Sequence, residues 1–340
     1  MKRYGHLWGQ IVNRDNLYRA HLAASKGKRQ YRQVRRVNQD LELHLTSLMW
    51  LLDSGEYRTS QYTPRILNER GKERLIHRLP YWPDRVVHHA FVQVLSPIWR
   101  KSMIRHSYAS IPGRGIHDAQ RHVLAALRDD PAGTAYCLKM DIRKFYPSIG
   151  HDELIGLLAR KIKDPRVMAV LEEVIRSLDV TAPGVGVPIG NYFSQWFANI
   201  YLTPYDWRAK QHYGIKHYFR YCDDIVMLNA NKDHLHAVRH ESATWLADNF
   251  RLAVKDNWQV WPTLDRGVDF VGYRMWPEKV LLRKGTKKRM AAKLSPARGA
   301  RSQEAFRQGS LSLPSYQGWV QHGSTHSLQH KLLTPWWESQ

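Results

Sequence analysis

Three acids in this chain stand where acids are costly. Asp141 closes a run, residues 135–142, whose alternation reads as a strand. Asp223-Asp224 interrupts the apolar run 219–228, which reads as two short strands about a turn. Unit charges about 4 Å apart repel by roughly 4 kcal/mol at an effective dielectric of ~20, so such acids need a cation, Arg or Lys beside them. If the hairpin pairs beside the Asp141 strand, Asp141 and Asp223 face a common point. They can then hold two Mg²⁺ about 3.5–4 Å apart, the arrangement for in-line phosphoryl transfer. An Asp-Asp pair alone is an ordinary turn former, so the surrounding elements must decide.

Those elements alternate between helical and strand-like texture. Leu41, Leu45, Leu48 and Leu52 share one face of a predicted helix that Gly55 ends. Residues 61–80 read as a hairpin with Arg70-Gly71-Lys72 at its tip, followed by helices at 84–99 and 117–127. Between the two acidic segments the pattern predicts one helical stretch (152–178), a Gly/Pro loop (183–190) and a helix (192–202). A helix at 233–249 and β-like pieces near 258–261 and 268–274 follow. The basic tail after 285 reads as helical, interrupted at Pro296 and Pro314. The fold class is therefore α+β, an antiparallel sheet backed by helices.

Charge narrows the partner. Lys and Arg number 52 against 30 Asp and Glu, a formal +22. Such an excess favours a polyanion, because each neutralised phosphate releases condensed counterions. The excess is clustered: residues 19–36 hold seven cations and no acid, and 274–310 hold eleven cations with Glu278 and Glu304. No apolar run of 18 residues and no apolar leader is visible, which predicts a cytoplasmic protein with no membrane partner. Cys137 and Cys222 make no CxxC pair, although paired strands can bring them near each other. His322, His326 and His330 fall four apart, as on one helical face, but lack an acid or Cys to complete a metal set. The spacing Gly184-x-Gly186-x-x-x-Gly190 is wrong for a dinucleotide loop, and no P-loop exists.

Three segments together carry a resemblance. Lys139-Met140-Asp141-Ile142-Arg143-Lys144-Phe145-Tyr146 resembles the first catalytic motif of reverse transcriptases, and Tyr221-Cys222-Asp223-Asp224 resembles their Tyr-x-Asp-Asp box. Between them, Gly186-Val187-Pro188-Ile189-Gly190-Asn191-Tyr192-Phe193-Ser194-Gln195 resembles the loop and helix under the template and incoming nucleotide. Retroviral and group II intron enzymes usually carry Gln-Gly and Ser-Pro there. Ile189-Gly190 with Ser194-Gln195 is instead similar to reverse transcriptases of diversity-generating retroelements. An apolar Ile189 cannot hydrogen-bond as Gln would, a loss of about 1–3 kcal/mol of discrimination or roughly 10- to 100-fold. A retron or phage-defence enzyme is the same-class alternative. A group II intron enzyme is disfavoured for want of room for its extensions, and a non-catalytic RNA-binding scaffold is the alternative of another class.

The resemblance implies a right-hand polymerase with fingers, palm and a short helical thumb. Residues 1–130 would form N-terminal helices and fingers, 131–280 the palm with a helical insertion at 152–182, and 281–340 the basic thumb. It implies two Mg²⁺, replaceable by Mn²⁺, on Asp141, Asp223, Asp224 and the Ile142 carbonyl. Tyr146 would exclude a ribose 2′-OH, Lys72 and Arg74 would hold the triphosphate, and Ile189, Gly190 and Gln195 would shape the base-pair pocket. Asn68 stands where a further Lys is common. Lys255 would protonate pyrophosphate. Phe270, Gly272 and Tyr273 would grip the primer, with Arg283, Lys284, Lys287 and Lys288 along the duplex. The implied partners are dNTPs, a structured template RNA, the RNA–DNA duplex and a small basic accessory protein.

Overall fold

Leu45, Leu48 and Leu52 are each 1% exposed on the helix Leu41–Asp53, so the predicted apolar face is the buried one. The computed structural model describes residues 2–69 and 72–333. It divides into two compact units, each assembled from separated stretches of chain.

The first unit comprises Met1–Arg105, Ile142–Tyr213 and Glu241–Lys255. Its centre is helical. Helix Arg14–Ser25 lies on helix Val86–Arg100, stapled where Asn16 donates to the Ala90 carbonyl at 3.1 Å and accepts from Gln93 at 2.8 Å. Phe193 and Phe197, one turn apart on helix Tyr192–Gln211, stack at 5.2 Å and are fully buried. The predicted hairpin is present as β1 (Thr63–Glu69) and β2 (Lys72–Arg78). Its tip residues, Arg70 and Gly71, lie outside the described residues.

His88 gives this unit a measurable pH response. It is 1% exposed against Phe193, and its Nε2 has no hydrogen-bond partner among the described residues. Burial, with the charges of His89 and Arg85, lowers its pKa to about 3. As pH falls below ~6.5 the unfolded chain takes up this proton and the folded chain does not, so stability is lost towards acid at about 1.4 kcal/mol per pH unit. Between pH 6.5 and 5 this group should cost about 2 kcal/mol. Urea midpoints at the two pH values check it: His88→Phe should show a shallower dependence by that amount, and an unchanged slope would refute the assignment.

The second unit comprises His106–Asp141, Gly214–His240 and Asp256–Gln340. Its main sheet contains β3 (Tyr136–Asp141), β4 (His217–Tyr221), β5 (Asp224–Asn229) and β6 (Gln259–Pro262), in the antiparallel order β4-β5-β3-β6. A smaller antiparallel sheet joins β7 (Val268–Phe270), β8 (Tyr273–Met275) and β9 (Val280–Leu282). Val123 and Leu127 of helix Ile116–Asp129 share one core with Phe219, Val226 and Phe270 of these sheets and with Met290 and Leu294 of helix Lys284–Arg298.

Four expectations need correction. The stretch 152–178 is two helices, His151–Ala159 and Pro165–Arg176. Asp164 caps the second, accepting from Val167 N, and Pro165 has no N–H to continue the first. The helix expected to stop at 202 runs through Pro204 to Gln211, because Tyr205 and Ala209 are fully buried and Tyr205 bonds Ser242 at 2.7 Å. His322 follows helix Leu313–Gln321 while His326 begins helix His326–Leu333, so the three histidines do not share one face. Cys137 pairs with Leu228, four residues beyond Asp224 and about 13 Å along the strand from the turn carrying Cys222. The two cysteines are therefore not neighbours. Among the described residues, no helix is long and apolar enough to cross a membrane.

Candidate active site

The two acidic segments, distant in sequence, are adjacent strands. β3 pairs with β5 so that Asp141 lies opposite Asp224, and β4 and β5 are joined by a tight turn whose central residues are Cys222 and Asp223. Cys222 has φ +58°, a left-handed conformation that costs a non-glycine residue of order 1 kcal/mol. The surroundings hold it there. Arg220, fully buried, donates from Nη1 to the Cys222 carbonyl at 3.0 Å, and its own backbone N–H bonds the His106 carbonyl at 2.9 Å.

Lys139, two residues before Asp141, projects from the same strand face and lies diagonally across from Asp224. Its Nζ donates to Asp224 Oδ2 at 3.1 Å and to the Asp269 carbonyl at 2.7 Å. Asp269 Oδ1 in turn accepts from Arg283 Nε at 2.7 Å. Burial raises the Asp224 pKa and the Asp141 charge adds to the rise, while Lys139 and Arg283 oppose it. Sequence reasoning passed over Lys139 and Asp269. Lys139 was legible from strand alternation; Asp269 was not, because no local signal says where β7 lies.

The donor chemistry suits a hard divalent cation only in part. Asp224 Oδ2 is engaged by Lys139, and Oδ1 is buried with no hydrogen-bond partner among the described residues. Among those residues no three His, Cys, Asp or Glu side chains converge as a ready-made metal cage. Mg²⁺ is commonly held by one or two carboxylates and completes its shell with waters and substrate phosphates. Asp141 and the turn residue Asp223 are carboxylates of that kind, and Asp224, opposite Asp141 in the strand register, keeps one unpartnered oxygen among the described residues. The cleft of about 100 Å³ beside Lys139 and Asp141 admits water or an ion rather than a nucleobase.

The turn Phe270-Val271-Gly272-Tyr273 joins β7 to β8 with φ +44° at Val271 and +90° at Gly272. Trp319 packs so closely on Gly272 that a Cβ there would collide with its ring, and Tyr273 Oη donates to the Trp319 carbonyl at 3.1 Å. The Gly272 carbonyl accepts from Arg283 N at 2.9 Å, which ties the turn to the start of helix Lys284–Arg298. That helix buries Met290, Leu294 and Ala297 and exposes Lys284, Lys287 and Lys288.

The remaining sequence-identified residues belong to the first unit. Ile142 bridges Val254, and Arg143 N donates to the Ala253 carbonyl at 2.7 Å, which fixes Lys255 next to the Ile142 segment. Tyr146 is half-buried at the start of a short 3₁₀ turn, and its carbonyl accepts from Val187 N at 3.0 Å. Ile189 accepts from His77 N of β2 at 2.8 Å. Gly190, φ +113°, sits where a Cβ would come within 2.6 Å of the His77 carbonyl oxygen, so the loop and the hairpin touch through bare backbone. Gln195 is exposed on helix Tyr192–Gln211. Arg74 is exposed on β2 opposite Leu67, and Asn68 faces Glu73. Lys72 opens β2, and its side chain lies outside the described residues.

Comparison with known proteins follows the same outline. The sequence profile of the reverse transcriptase (RNA-dependent DNA polymerase) family matches residues 66–275, more than half of the chain. Protein YkfC of Escherichia coli is 25% identical over 58% of this chain and 62% of its own length. Nuclear intron maturase 1, mitochondrial, of Arabidopsis thaliana is 27% identical over 32% of this chain and 15% of its own length. The chain thus spans less than two thirds of either relative. Among solved structures, apo telomerase from Candida Tropicalis superposes with a TM-score of 0.51 at 14% identity, covering 82% of this chain and 60% of that one.

Proposed function

Because the chain belongs to the reverse transcriptase (RNA-dependent DNA polymerase) family and has its fold, we propose that it copies RNA into DNA by adding dNTPs to a primer end. One observation supports this above the others: the antiparallel register that sets Asp141 opposite Asp224, with Asp223 in the adjoining turn. Asp141 and Asp223 are the proposed ligands of two divalent cations, Mg²⁺ or Mn²⁺, with the Ile142 carbonyl beside them and Asp224 in support. When bound, such ions activate the primer hydroxyl and stabilise charge on the triphosphate. Tyr146 limits space at the sugar, Arg74 and Lys72 hold phosphate oxygens, and Lys255 supplies a proton towards pyrophosphate. The Phe270–Tyr273 turn, with Arg283, Lys284, Lys287 and Lys288, carries the primer–template backbone.

Primer extension on an RNA template tests this reading. The protein should incorporate dNTPs in preference to rNTPs, and Tyr146→Ala should raise the relative use of rNTPs by on the order of tenfold. No incorporation of either by the intact protein would leave only an RNA-binding scaffold. Template affinity should fall about 10³- to 10⁵-fold between 50 and 200 mM salt if six to ten phosphates are contacted. A flat salt response measured by filter binding would exclude the basic face as the binding surface.

At finer grain, the Ile189-Gly190 and Ser194-Gln195 departures support error-prone copying of a template-repeat RNA in a diversity-generating retroelement, with a small basic accessory protein. Similarity to an intron maturase favours a second reading, an intron-type reverse transcriptase. Sequencing the cDNA separates them: errors concentrated at template adenines support the first, and uniform fidelity supports the second.

A further inference from the structure

An apolar cavity in the first unit is unused by the proposed reaction. It encloses about 340 Å³, within the range of small-molecule sites. Three helices meet at it. The end of helix Val86–Arg100 contributes Trp99, helix His151–Ala159 contributes Leu157, and the middle of helix Tyr192–Gln211 contributes Ile200, Pro204 and Trp207. Trp207 is 41% exposed, and its Nε1 donates to the Ser102 carbonyl at 2.7 Å, so the indole is fixed while much of its surface stays open. Pro204 has no N–H, and both it and Ile200 line the cavity. The helix therefore offers the Ile200 carbonyl no i+4 donor on the stretch that lines the cavity. The rim is cationic: Lys101, Arg160 and Lys161 line the cavity and no acid does.

A flat apolar ring with an N–H donor on its edge and an anion beside it matches these features one by one. We infer that the cavity binds an adenine nucleotide unit, either free or as one residue of a single-stranded RNA. The base lies along Trp207 and directs its exocyclic amine to the Ile200 carbonyl. Lys101, Arg160 and Lys161 meet the phosphate. Trp207 lies twelve residues, about 18 Å along the helix, from Gln195, so this site is separate from the proposed nucleotide pocket and stands or falls without it.

Photolabelling of the full chain tests the assignment. The probes are 8-azidoadenosine 5′-monophosphate and a short oligoadenylate carrying one 8-azidoadenosine. Label should enter the peptides holding Trp99–Ser102 or Thr203–Trp207. It should fall about tenfold or more in Trp207→Ala, in Arg160→Glu and in Thr203→Phe, which fills the cavity. If the monophosphate both labels and competes, the source is a free nucleotide; if only the oligomer labels, it is an RNA strand. Arg160 is exposed, so its variant carries the test should Trp207→Ala not fold. Label confined to other peptides, or undiminished in Thr203→Phe, overturns the inference.

Discussion

Asp223→Ala should slow dNTP addition on an RNA template by about a thousandfold or more while leaving the protein folded. The activity loss follows from charge. Removing one of two carboxylates that hold the proposed cations forfeits about 4 kcal/mol of transition-state stabilisation, which corresponds to three decades in rate. The retained fold follows from position. Asp223 sits in a turn beside the like charge of Asp224, outside the ladder that pairs β4 with β5, so the backbone pairing of the strands does not pass through its side chain. Single-turnover primer extension and thermal melting read the two halves separately. Activity within tenfold of the parent protein would remove Asp223 from the chemistry. A large fall in melting temperature would make the turn structural instead.

Lys139→Met should cost about 3 kcal/mol of folding stability, the largest effect expected from any single change at the sheet. Lys139 and Asp224 are each 23% exposed, so this is a mostly buried pair. Losing one partner of such a pair leaves an uncompensated charge in poor solvent, a penalty of about 3–5 kcal/mol when burial is complete. The exposure places this pair at the lower end. The Asp269 carbonyl loses its 2.7 Å donor in the same step. Adding Asp224→Asn to the variant should restore most of the loss, because the stranded charge is gone. Urea denaturation of the two single variants and the double variant measures the coupling. Simple additivity would mean that the 3.1 Å contact contributes nothing to stability.

Much of the candidate site was legible before any coordinates. Asp141 ends a run that alternates, and Asp223-Asp224 breaks an apolar one; strand and turn chemistry are local, so position along the chain already implied a strand and a hairpin, though not that they pair. The hairpin at 61–80 and the buried faces of the leucine-rich helix were local in the same way. What failed was also physical. Asp164-Pro165 was a readable break inside the stretch 152–178, and continuous apolar periodicity on both sides masked it. The helix expected to stop at 202 continues through Pro204, and only the burial of Tyr205 and Ala209 by distant segments carries it on.

The amino-acid order by itself determined which short segments are strands and turns, and which residue types carry charge to phosphate. These follow from backbone sterics and side-chain chemistry within a few residues. Tertiary structure alone decided the register that sets Asp141 opposite Asp224, the seat of Lys139 between Asp224 and Asp269, and the closure of a tryptophan-lined cavity by three separated helices. Each of these joins segments tens of residues apart. Their energies lie in burial and charge pairing between partners that no local pattern identifies.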